Sequence, residues 1–264
     1  MAEIRKTTAQ ITETGKLAEG IYSIWLQPEA PEVAASAVPG QFVSVYCRDA
    51  SRLLPRPISL CEIDREQGRL RLVFRVAGAG TRELSGRRVG ETVEIMGPLG
   101  NGYSLRELPA EGARTVLMGG GIGIPPLLAL AGALSGERTA VLGYRDSETF
   151  LRKEFGALGC RVIIATDDGS VGTRGNVIDA ARAENVRGDM IFSCGPTPMQ
   201  RGVKVYAAEL GIPAQLSLEE RMACGIGACL ACVCRSTEVD GHSHVHNKRV
   251  CKDGPVFFAD EIEL

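Results

Sequence analysis

The chain has 264 residues, enough for about two domains, and its 44% hydrophobic and 23% charged content excludes a disordered chain. Thirty basic and 32 acidic residues leave a net charge of −2, which gives no electrostatic footprint for nucleic acid or an anionic membrane. No apolar run approaches the roughly 20 residues that cross a bilayer, and the N-terminus lacks the apolar core of a secretory signal, so we expect no membrane association and a cytoplasmic location.

The first hundred residues are typical of a small antiparallel β-barrel. Short runs rich in valine, isoleucine and aromatic residues alternate with turn-forming glycine, proline and aspartate. One helix is predicted to begin near Thr81, after a glycine-rich turn. The predicted strands are Ile21–Leu26, Phe42–Cys47, Leu70–Val76 and Thr92–Met96.

Two segments of this barrel are candidates for binding phosphate. In Arg56-Pro57-Ile58-Ser59, alternation places Arg56 and Ile58 on one face, and the proline indicates a strand edge. The arginine fork suits a phosphate, although a surface arginine is the simpler interpretation of this segment alone. The second candidate is Val73-Phe74-Arg75, followed by Gly78-Ala79-Gly80-Thr81 at the start of the predicted helix.

From about Arg114 the pattern changes to alternating strands and helices. Alternation of this length predicts right-handed crossovers and a parallel sheet covered on both faces. The predicted strands are Thr115–Met118, Ala140–Tyr144, Arg161–Thr166 and Met190–Cys194. The predicted helices are Pro125–Leu134, Ser147–Leu158, Asn176–Glu184 and Thr197–Leu210.

Two of these strands end in glycine turns. Gly119, Gly120, Gly121 and Gly123 follow the first strand, and Cys194-Gly195-Pro196 ends a later one. The first turn does not match G-x-G-x-x-G, so a plain strand–turn–helix is its alternative reading. Ligands of open α/β sheets bind outside such strand ends, and the two turns together predict a dinucleotide site.

Five of the nine cysteines lie between residues 224 and 251, a cluster that in a reducing cytosol indicates metal or redox chemistry. Cys224, Cys229, Cys232 and Cys251 have the C-x4-C-x2-C…C spacing of plant-type [2Fe–2S] proteins. A structural zinc is the alternative, but such sites usually pair two C-x2–4-C knuckles. Cys234 is an alternative fourth ligand, although strand alternation directs it away from Cys232.

The remaining cysteines and the histidines have simpler interpretations. Cys47, Cys61 and Cys160 are read as small buried hydrophobic residues. All three histidines, His242, His244 and His246, lie in the 18-residue interval between Cys232 and Cys251. They are able to bind a metal, but an exposed polar turn is the favoured interpretation.

In this order, Arg-Pro-Ile-Ser, Gly-x-Gly-Thr, Gly97-Pro-Leu-Gly-Asn-Gly102, Gly-Gly-Gly-Ile-Gly and Cys-Gly-Pro resemble the ferredoxin-reductase superfamily. The tail from Glu220 to Cys232, with Arg249–Phe257, is similar to the electron-transfer subunits of NAD-dependent (class 1B) bacterial dihydroorotate dehydrogenases. The resemblance covers essentially the whole chain. It implies an FAD-binding antiparallel β-barrel over residues 1–105, an NAD-binding parallel-sheet domain over 106–215 and a [2Fe–2S] module over 216–264.

The resemblance also implies site residues. Cys224, Cys229, Cys232 and Cys251 would hold the cluster. Independently of the resemblance, their position at a strand end makes Cys194 and Gly195 candidates to shape the contact between nicotinamide and flavin, beside the glycines of the first turn. The FAD contacts would be Arg56, Pro57, Ile58, Ser59, Val73, Phe74, Arg75, Gly80 and Thr81.

A nicotinamide gives two electrons as hydride and a cluster accepts one at a time, so a flavin must stand between them. No segment indicates a pocket for a small organic acid, so electrons must pass to a partner protein. In the resembled family this is an FMN-containing catalytic subunit that oxidises dihydroorotate in pyrimidine (UMP) biosynthesis, in a heterotetramer of two plus two subunits. The alternatives are a diaphorase subunit serving a hydrogenase, sulfide dehydrogenase or ferredoxin:NADP oxidoreductase, and a non-redox zinc module.

Arg145-Asp146-Ser147-Glu148 bears on the choice of nucleotide. This segment follows a predicted strand, where a βα turn approaches the adenosine ribose. An acid there favours a free 2′-hydroxyl, whereas an arginine favours a 2′-phosphate. Two acids against one base, together with the resemblance, predict NADH.

Overall fold

Six N-terminal strands close into an antiparallel barrel in the computed structural model, which describes residues 4–108, 112–241 and 244–264. Their order around the barrel is β1-β2-β5-β4-β3-β6. The short helix α1 (Glu32–Ser36) packs into the barrel core, and α2 (Ala79–Ser85) follows β5. The strands are β1 (Arg5–Ala18), β2 (Ile21–Pro28), β3 (Phe42–Val45), β4 (Arg56–Asp64), β5 (Arg69–Arg75) and β6 (Thr92–Leu99).

The barrel confirms the predicted fold class and adds strands that the pattern did not reveal. β1 is rich in charged residues and threonine, and of its 14 residues only Ala9 and Ile11 are buried, so its apolar signal is weak. In β4 the predicted alternation holds, since Ile58 and Leu60 are buried while Pro57 is exposed. Residues 56–59 pair only with β3, and pairing with β5 begins at Leu60. Pro57 therefore occupies a locally one-sided stretch of strand, where its missing N–H leaves no gap in a ladder.

The second half of the chain forms a seven-stranded sheet in the order β10-β9-β8-β7-β11-β12-β15. The strands from β7 to β12 run parallel, and only the final strand is antiparallel. The chain order switches sides between β7 and β11, which is the position where open α/β sheets bind ligands. The strands are β7 (Thr115–Gly120), β8 (Arg138–Tyr144), β9 (Arg161–Thr166), β10 (Thr173–Arg174), β11 (Met190–Cys194), β12 (Ala214–Ser217) and, near the C-terminus, β15 (Val256–Phe258).

Helices cover both faces of this sheet, as predicted. Alternate residues of β7 point to opposite sides, so Val116 packs towards one pair of helices and Leu117 towards the other. The helices are α3 (Ile124–Ala133), α4 (Arg152–Ala157), α5 (Val177–Ala183) and α6 (Thr197–Leu210), with α5 and α6 on one face and α3 and α4 on the other. In the described part of the chain, no helix combines the length and apolarity needed to cross a membrane.

The prediction of a helix from Ser147 was wrong at its start, because α4 begins only at Arg152. The Asp146 carboxylate accepts a hydrogen bond from the Glu148 N–H at 2.9 Å, which favours a turn over a helix. Leu151 then adopts a left-handed conformation (φ 63°), so the helix cannot extend backwards through it.

The C-terminal segment carries the cysteines and also adds a strand to the sheet. β13 (Val233–Arg235) and β14 (Asn247–Arg249) form a small antiparallel hairpin. β15 then pairs with β12, so the sheet continues past the point where the sequence pattern ended. β12 has four residues and β15 has three, and strands this short give no periodic signal in the sequence.

Candidate functional site

The four cysteines of the C-x4-C-x2-C…C motif come together around one tight loop. Gly225 and Gly227 have φ of +71° and +82°, the left-handed region that favours glycine. These turns direct backbone N–H groups at sulfur: Gly227 donates to Cys251 Sγ at 3.1 Å, and Ala228 to Cys224 Sγ at 3.3 Å. The loop therefore supplies the inward-facing amides that stabilise thiolates.

The thiols lie in two pairs. Cys224 contacts Cys229, and Cys251 contacts Cys232, whose sulfur also accepts from the Cys251 N–H at 3.4 Å. Among the described residues, no three histidine, cysteine or acidic side chains converge as a site for a single ion. Two pairs of thiols suit a binuclear [2Fe–2S] core with two protein ligands on each iron, so the donor set fits this cluster.

Backbone donors control the charge of Cys224. Burial raises the pKa of its thiol, but the N–H groups of the loop outweigh this effect and lower the pKa to about 6. At Cys251, burial and the neighbouring Cys232 raise the pKa to about 12. The loop is thus built to hold at least one thiolate before any metal neutralises it.

Cys234 lies outside these pairs. It is on β13 opposite Lys248, partly buried against the apolar core, and burial raises the pKa of its thiol to about 11. The histidines do not join the cysteines either. His244 is exposed in a turn in which its N–H donates to Asp240 O, and His246 Nδ1 lies 3.1 Å from Ser236 O. His242 lies outside the described residues.

The cluster loop packs directly on the barrel. A Cβ added to Gly225 would lie 3.0 Å from the Ser44 hydroxyl on β3. Phe42 and Leu99 of the barrel share one apolar cluster with Cys232 and Cys251. The loop after β6 fixes the same region, because Asn101 Nδ2 donates to the carbonyls of residues 252 and 253 at 3.2 and 3.0 Å.

In the barrel, the structure brings Arg56 and the Gly80 turn together. A Cβ at Gly80 would lie only 2.2 Å from Arg56 Nε, so glycine leaves the space that the guanidinium occupies. Arg56 Nη1 donates to Leu54 O at 2.6 Å, and Nε and Nη2 remain beside the glycine turn. The Thr81 hydroxyl closes that turn by accepting from the Ala77 N–H at 2.9 Å. The guanidinium donors and the space beside Gly80 suit a phosphate group.

The other predicted flavin residues divide between the core and the surface. Val73 and Phe74 are buried, and Phe74 stacks on Tyr22 with ring centroids 6.3 Å apart. Ser59 is half-buried on the outer side of β4. Arg75 is exposed and extends to the sheet, with Nη2 3.1 Å from the position of a Cβ on Gly121. Arg75 thus connects the barrel to the first glycine turn.

The two predicted glycine turns abut at the switch point of the sheet. β7 and β11 are paired neighbours, with Gly119 opposite Cys194. A Cβ on Gly123 would meet the Cys194 carbonyl oxygen at 2.3 Å, and one on Gly120 or Gly195 would meet the Met199 side chain at 2.6 or 2.5 Å. At Gly123 the neighbour is backbone, so only glycine permits this packing. The half-buried Gly121 and the exposed Pro196 border these strand ends, where open α/β sheets bind dinucleotides.

Cys194 is buried at this junction, and its pKa is raised, chiefly by burial and then by the nearby Glu219. It is therefore a neutral thiol at pH 7. The pKa of Glu219 is also raised by burial, with Arg75 opposing the shift. Sequence reasoning missed Glu219, Ser217 and Tyr103. Their only signal was position, beside the cysteine motif or the Gly97–Gly102 segment.

Glu148, one of the two acids predicted to lie near the ribose, contacts the barrel. Its carboxylate accepts from the backbone N–H of Glu19, in the turn between β1 and β2, at 3.1 and 3.3 Å. Asp146 is half-exposed at the end of β8. The carbonyl oxygen of the neighbouring Arg145 accepts a hydrogen bond from the Asp168 N–H at 3.3 Å. The end of β8 therefore carries Asp146, and Asp167 and Asp168, which follow β9, lie beside it.

Comparisons with known proteins agree with this arrangement. Residues 219–263 match the family model of the iron–sulfur cluster binding domain of dihydroorotate dehydrogenase B. A solved structure of NADH-dependent reduced ferredoxin–NADP oxidoreductase superposes with a TM-score of 0.83 at 31% identity, covering 97% of this chain and 89% of that one. An Amycolatopsis cytochrome P450 reductase has the same fold, at a TM-score of 0.66 and 24% identity, over 79% of this chain and 67% of that one.

Two curated relatives match over most of their length. The electron transfer subunit of dihydroorotate dehydrogenase B (NAD(+)) from Bacillus caldolyticus is 46% identical over 231 residues, covering 86% of this chain and 87% of the relative. The subunit of the same name from Listeria monocytogenes serotype 4a is 40% identical over 263 residues, covering 98% and 99%. The chain therefore belongs to the family of electron transfer subunits of NAD-dependent dihydroorotate dehydrogenase B.

Proposed function

We propose that this protein carries electrons between NAD and an FMN-containing dihydroorotate dehydrogenase catalytic subunit, through FAD and a [2Fe–2S] cluster. The observation that carries the proposal is that the barrel contacts both other sites. Arg75 reaches the first glycine turn of the sheet, and Ser44 lies under the cluster loop. A flavin held by the barrel is thereby next to both the hydride donor and the one-electron acceptor.

When bound, FAD supplies the conversion between two-electron and one-electron transfer. The protein's part is to bind and orient. Arg56 and the Gly80 turn hold phosphate, while Arg75 and the buried Val73 and Phe74 fix the end of β5. The strand ends at Gly119–Gly123 and Cys194–Gly195 admit the nicotinamide. The neutral, buried Cys194 adds no charge where hydride must pass.

The cluster loop supports docking of the catalytic subunit. Cys229 is exposed, so the cluster lies near the protein surface. Three apolar side chains around it are open to solvent: Ile226 at 46%, Leu230 at 56% and Val233 at 40% exposure. Apolar residues concentrated around an electron exit fit a protein interface. We propose that the partner binds there, in an assembly of two plus two subunits.

A second candidate is a diaphorase subunit serving another redox enzyme. The structural match to a ferredoxin–NADP oxidoreductase favours it, whereas the family model over residues 219–263 favours the first proposal. Copurification from the native cell with a dihydroorotate-oxidising subunit supports the first proposal, and copurification with a hydrogenase or sulfide dehydrogenase overturns it. We also propose a cytoplasmic location, because a reducing compartment keeps ligand thiols available.

Replacing each proposed cluster ligand tests the cluster assignment. The variants Cys224→Ser, Cys229→Ser, Cys232→Ser and Cys251→Ser are each expected to lose the [2Fe–2S] EPR signal and the bound iron. Cys234→Ser is the matched control and keeps both, because this thiol lies outside the two pairs. Full iron in Cys251→Ser together with loss in Cys234→Ser would reverse the ligand assignment.

Removing the Arg56 fork tests the flavin cradle. Arg56→Ala is expected to weaken FAD binding by about 1.5–3 kcal/mol, the scale of a hydrogen bond to a charged group. This is roughly a 10- to 150-fold rise in Kd. Arg88→Ala removes an exposed arginine just after α2 and serves as the control. Equal FAD affinity in both variants, measured by fluorescence titration, would show that Arg56 does not contact the cofactor.

Nucleotide choice is tested at the end of β8. NADH is expected to reduce the bound FAD with a higher kcat/KM than NADPH, and Asp146→Ala should narrow the gap by removing the repulsion of a 2′-phosphate. Glu148→Ala is the control, since its carboxylate is held by Glu19. A preference for NADPH contradicts the proposal, and a change in preference only in Glu148→Ala shifts the determinant to that residue.

A further inference from the structure

Tyr103 occupies an unusual position between the barrel and the sheet. It follows the Gly97–Gly102 segment and is only 7% exposed. Its ring meets Phe192 of β11 edge to face, with centroids 5.5 Å apart and planes at 87°. On the barrel side, the Tyr103 N–H donates to Pro39 O at 2.9 Å, and a Cβ on Gly40 would lie 2.8 Å from the ring. The side chain is therefore fixed to both halves of the molecule.

The Tyr103 hydroxyl donates to the Ser193 carbonyl oxygen at 3.1 Å. Ser193 is fully buried and immediately precedes Cys194, and its own hydroxyl donates to Met118 O on β7 at 3.0 Å. The end of β11 is thus joined to Tyr103 by one hydrogen bond and to β7, just before the first glycine turn, by another.

Ser217 completes the same network from the other side. It is the partner of Cys194 in the pairing of β12 with β11 and is 4% exposed. Its hydroxyl lowers the pKa of both the Tyr103 hydroxyl and the Cys194 thiol, against the stronger opposite effect of burial. Two buried hydroxyls therefore converge on the residue that borders the proposed nicotinamide position.

We propose that Tyr103 and Ser217 are positioning residues for hydride transfer. They hold the Cys194–Gly195 end of β11 at a fixed distance from the flavin-binding barrel. This inference rests on the proposed function. Hydride transfer requires reacting atoms about 3–3.5 Å apart, and a misplacement of 1 Å costs on the order of 100-fold in rate. A hydrogen bond that joins the barrel to the nicotinamide end of β11 acts directly on that separation.

Packing alone does not account for the hydroxyl. A phenylalanine ring would fill the same space against Phe192, and burying a hydroxyl is unfavourable unless it is hydrogen-bonded. The hydroxyl adds a directional contact, because its hydrogen bond to Ser193 O fixes the position of the strand end. The same reasoning applies to Ser217, whose small hydroxyl contributes little apolar contact.

The test compares Tyr103→Phe with Tyr206→Phe in the FAD- and cluster-loaded protein. Tyr206 of α6 is the matched control, since it is also buried and donates at 3.3 Å to a backbone carbonyl, Val186 O, in the segment after α5. Anaerobic stopped-flow gives the rate of flavin reduction by NADH. Titration of the reduced protein with NAD+ gives the long-wavelength charge-transfer absorbance, which reports nicotinamide–flavin stacking without turnover.

We expect Tyr103→Phe to slow flavin reduction about tenfold or more, and to weaken the charge-transfer band, at unchanged FAD content. Tyr206→Phe should leave both readouts as in the wild type. Ser217→Ala should act in the same direction, and the double variant should lose less than the product of the two effects, because the hydroxyls act as a unit.

Unchanged reduction rate and charge-transfer band in Tyr103→Phe would overturn the inference, as would equal losses in Tyr206→Phe. If Tyr103→Phe does not retain FAD, Ser217→Ala decides by the same two readouts. A wild-type protein that NADH does not reduce contradicts the proposed function instead, so the two failures are distinguishable.

Discussion

Close approach of backbone segments is the constraint on which this structure depends. Electrons can be handed from a hydride donor to a one-electron acceptor only if the flavin-binding element touches both. Gly123 allows the first glycine turn to lie against the Cys194 carbonyl, and Gly225 allows the cluster loop to lie against Ser44 of the barrel. A side chain at either position would separate elements that must remain in contact, since electron and hydride transfer fall steeply with distance.

The cluster loop and the end of β11 also differ in their local electrostatics. At the cluster loop, backbone N–H groups stabilise negative sulfur, as the lowered pKa of Cys224 illustrates. At the end of β11, burial does the opposite and keeps Cys194 neutral. Two cysteines of one chain thus have opposite environments: one is prepared to ligate metal, and the other is an uncharged neighbour for a nicotinamide. The difference comes from burial at Cys194 and from the backbone donors aimed at Cys224 Sγ.

Much of this arrangement could be predicted from residues with strong local signals. The strands Arg161–Thr166 and Met190–Cys194 and the helix Thr197–Leu210 have the predicted bounds, because apolar periodicity and flanking turns agree there. The cysteine spacing indicated the cluster loop for a comparable reason, since ligation needs fixed intervals. Polar β1, the short β12 and β15, and the delayed start of α4 could not be predicted. Their formation depends on long-range pairing or on a single side chain such as Asp146. The contacts between distant segments could not be predicted from the sequence either, and the proposed function depends on them.

The most direct test of the central claim is to mix the loaded protein with NADH anaerobically and follow flavin absorbance and the cluster EPR signal in freeze-quenched samples. The account predicts that flavin is reduced first, that the cluster follows, and that protein stripped of FAD leaves its cluster oxidised. Cluster reduction by NADH without FAD, or a cluster that stays oxidised beside fully reduced flavin, would contradict it.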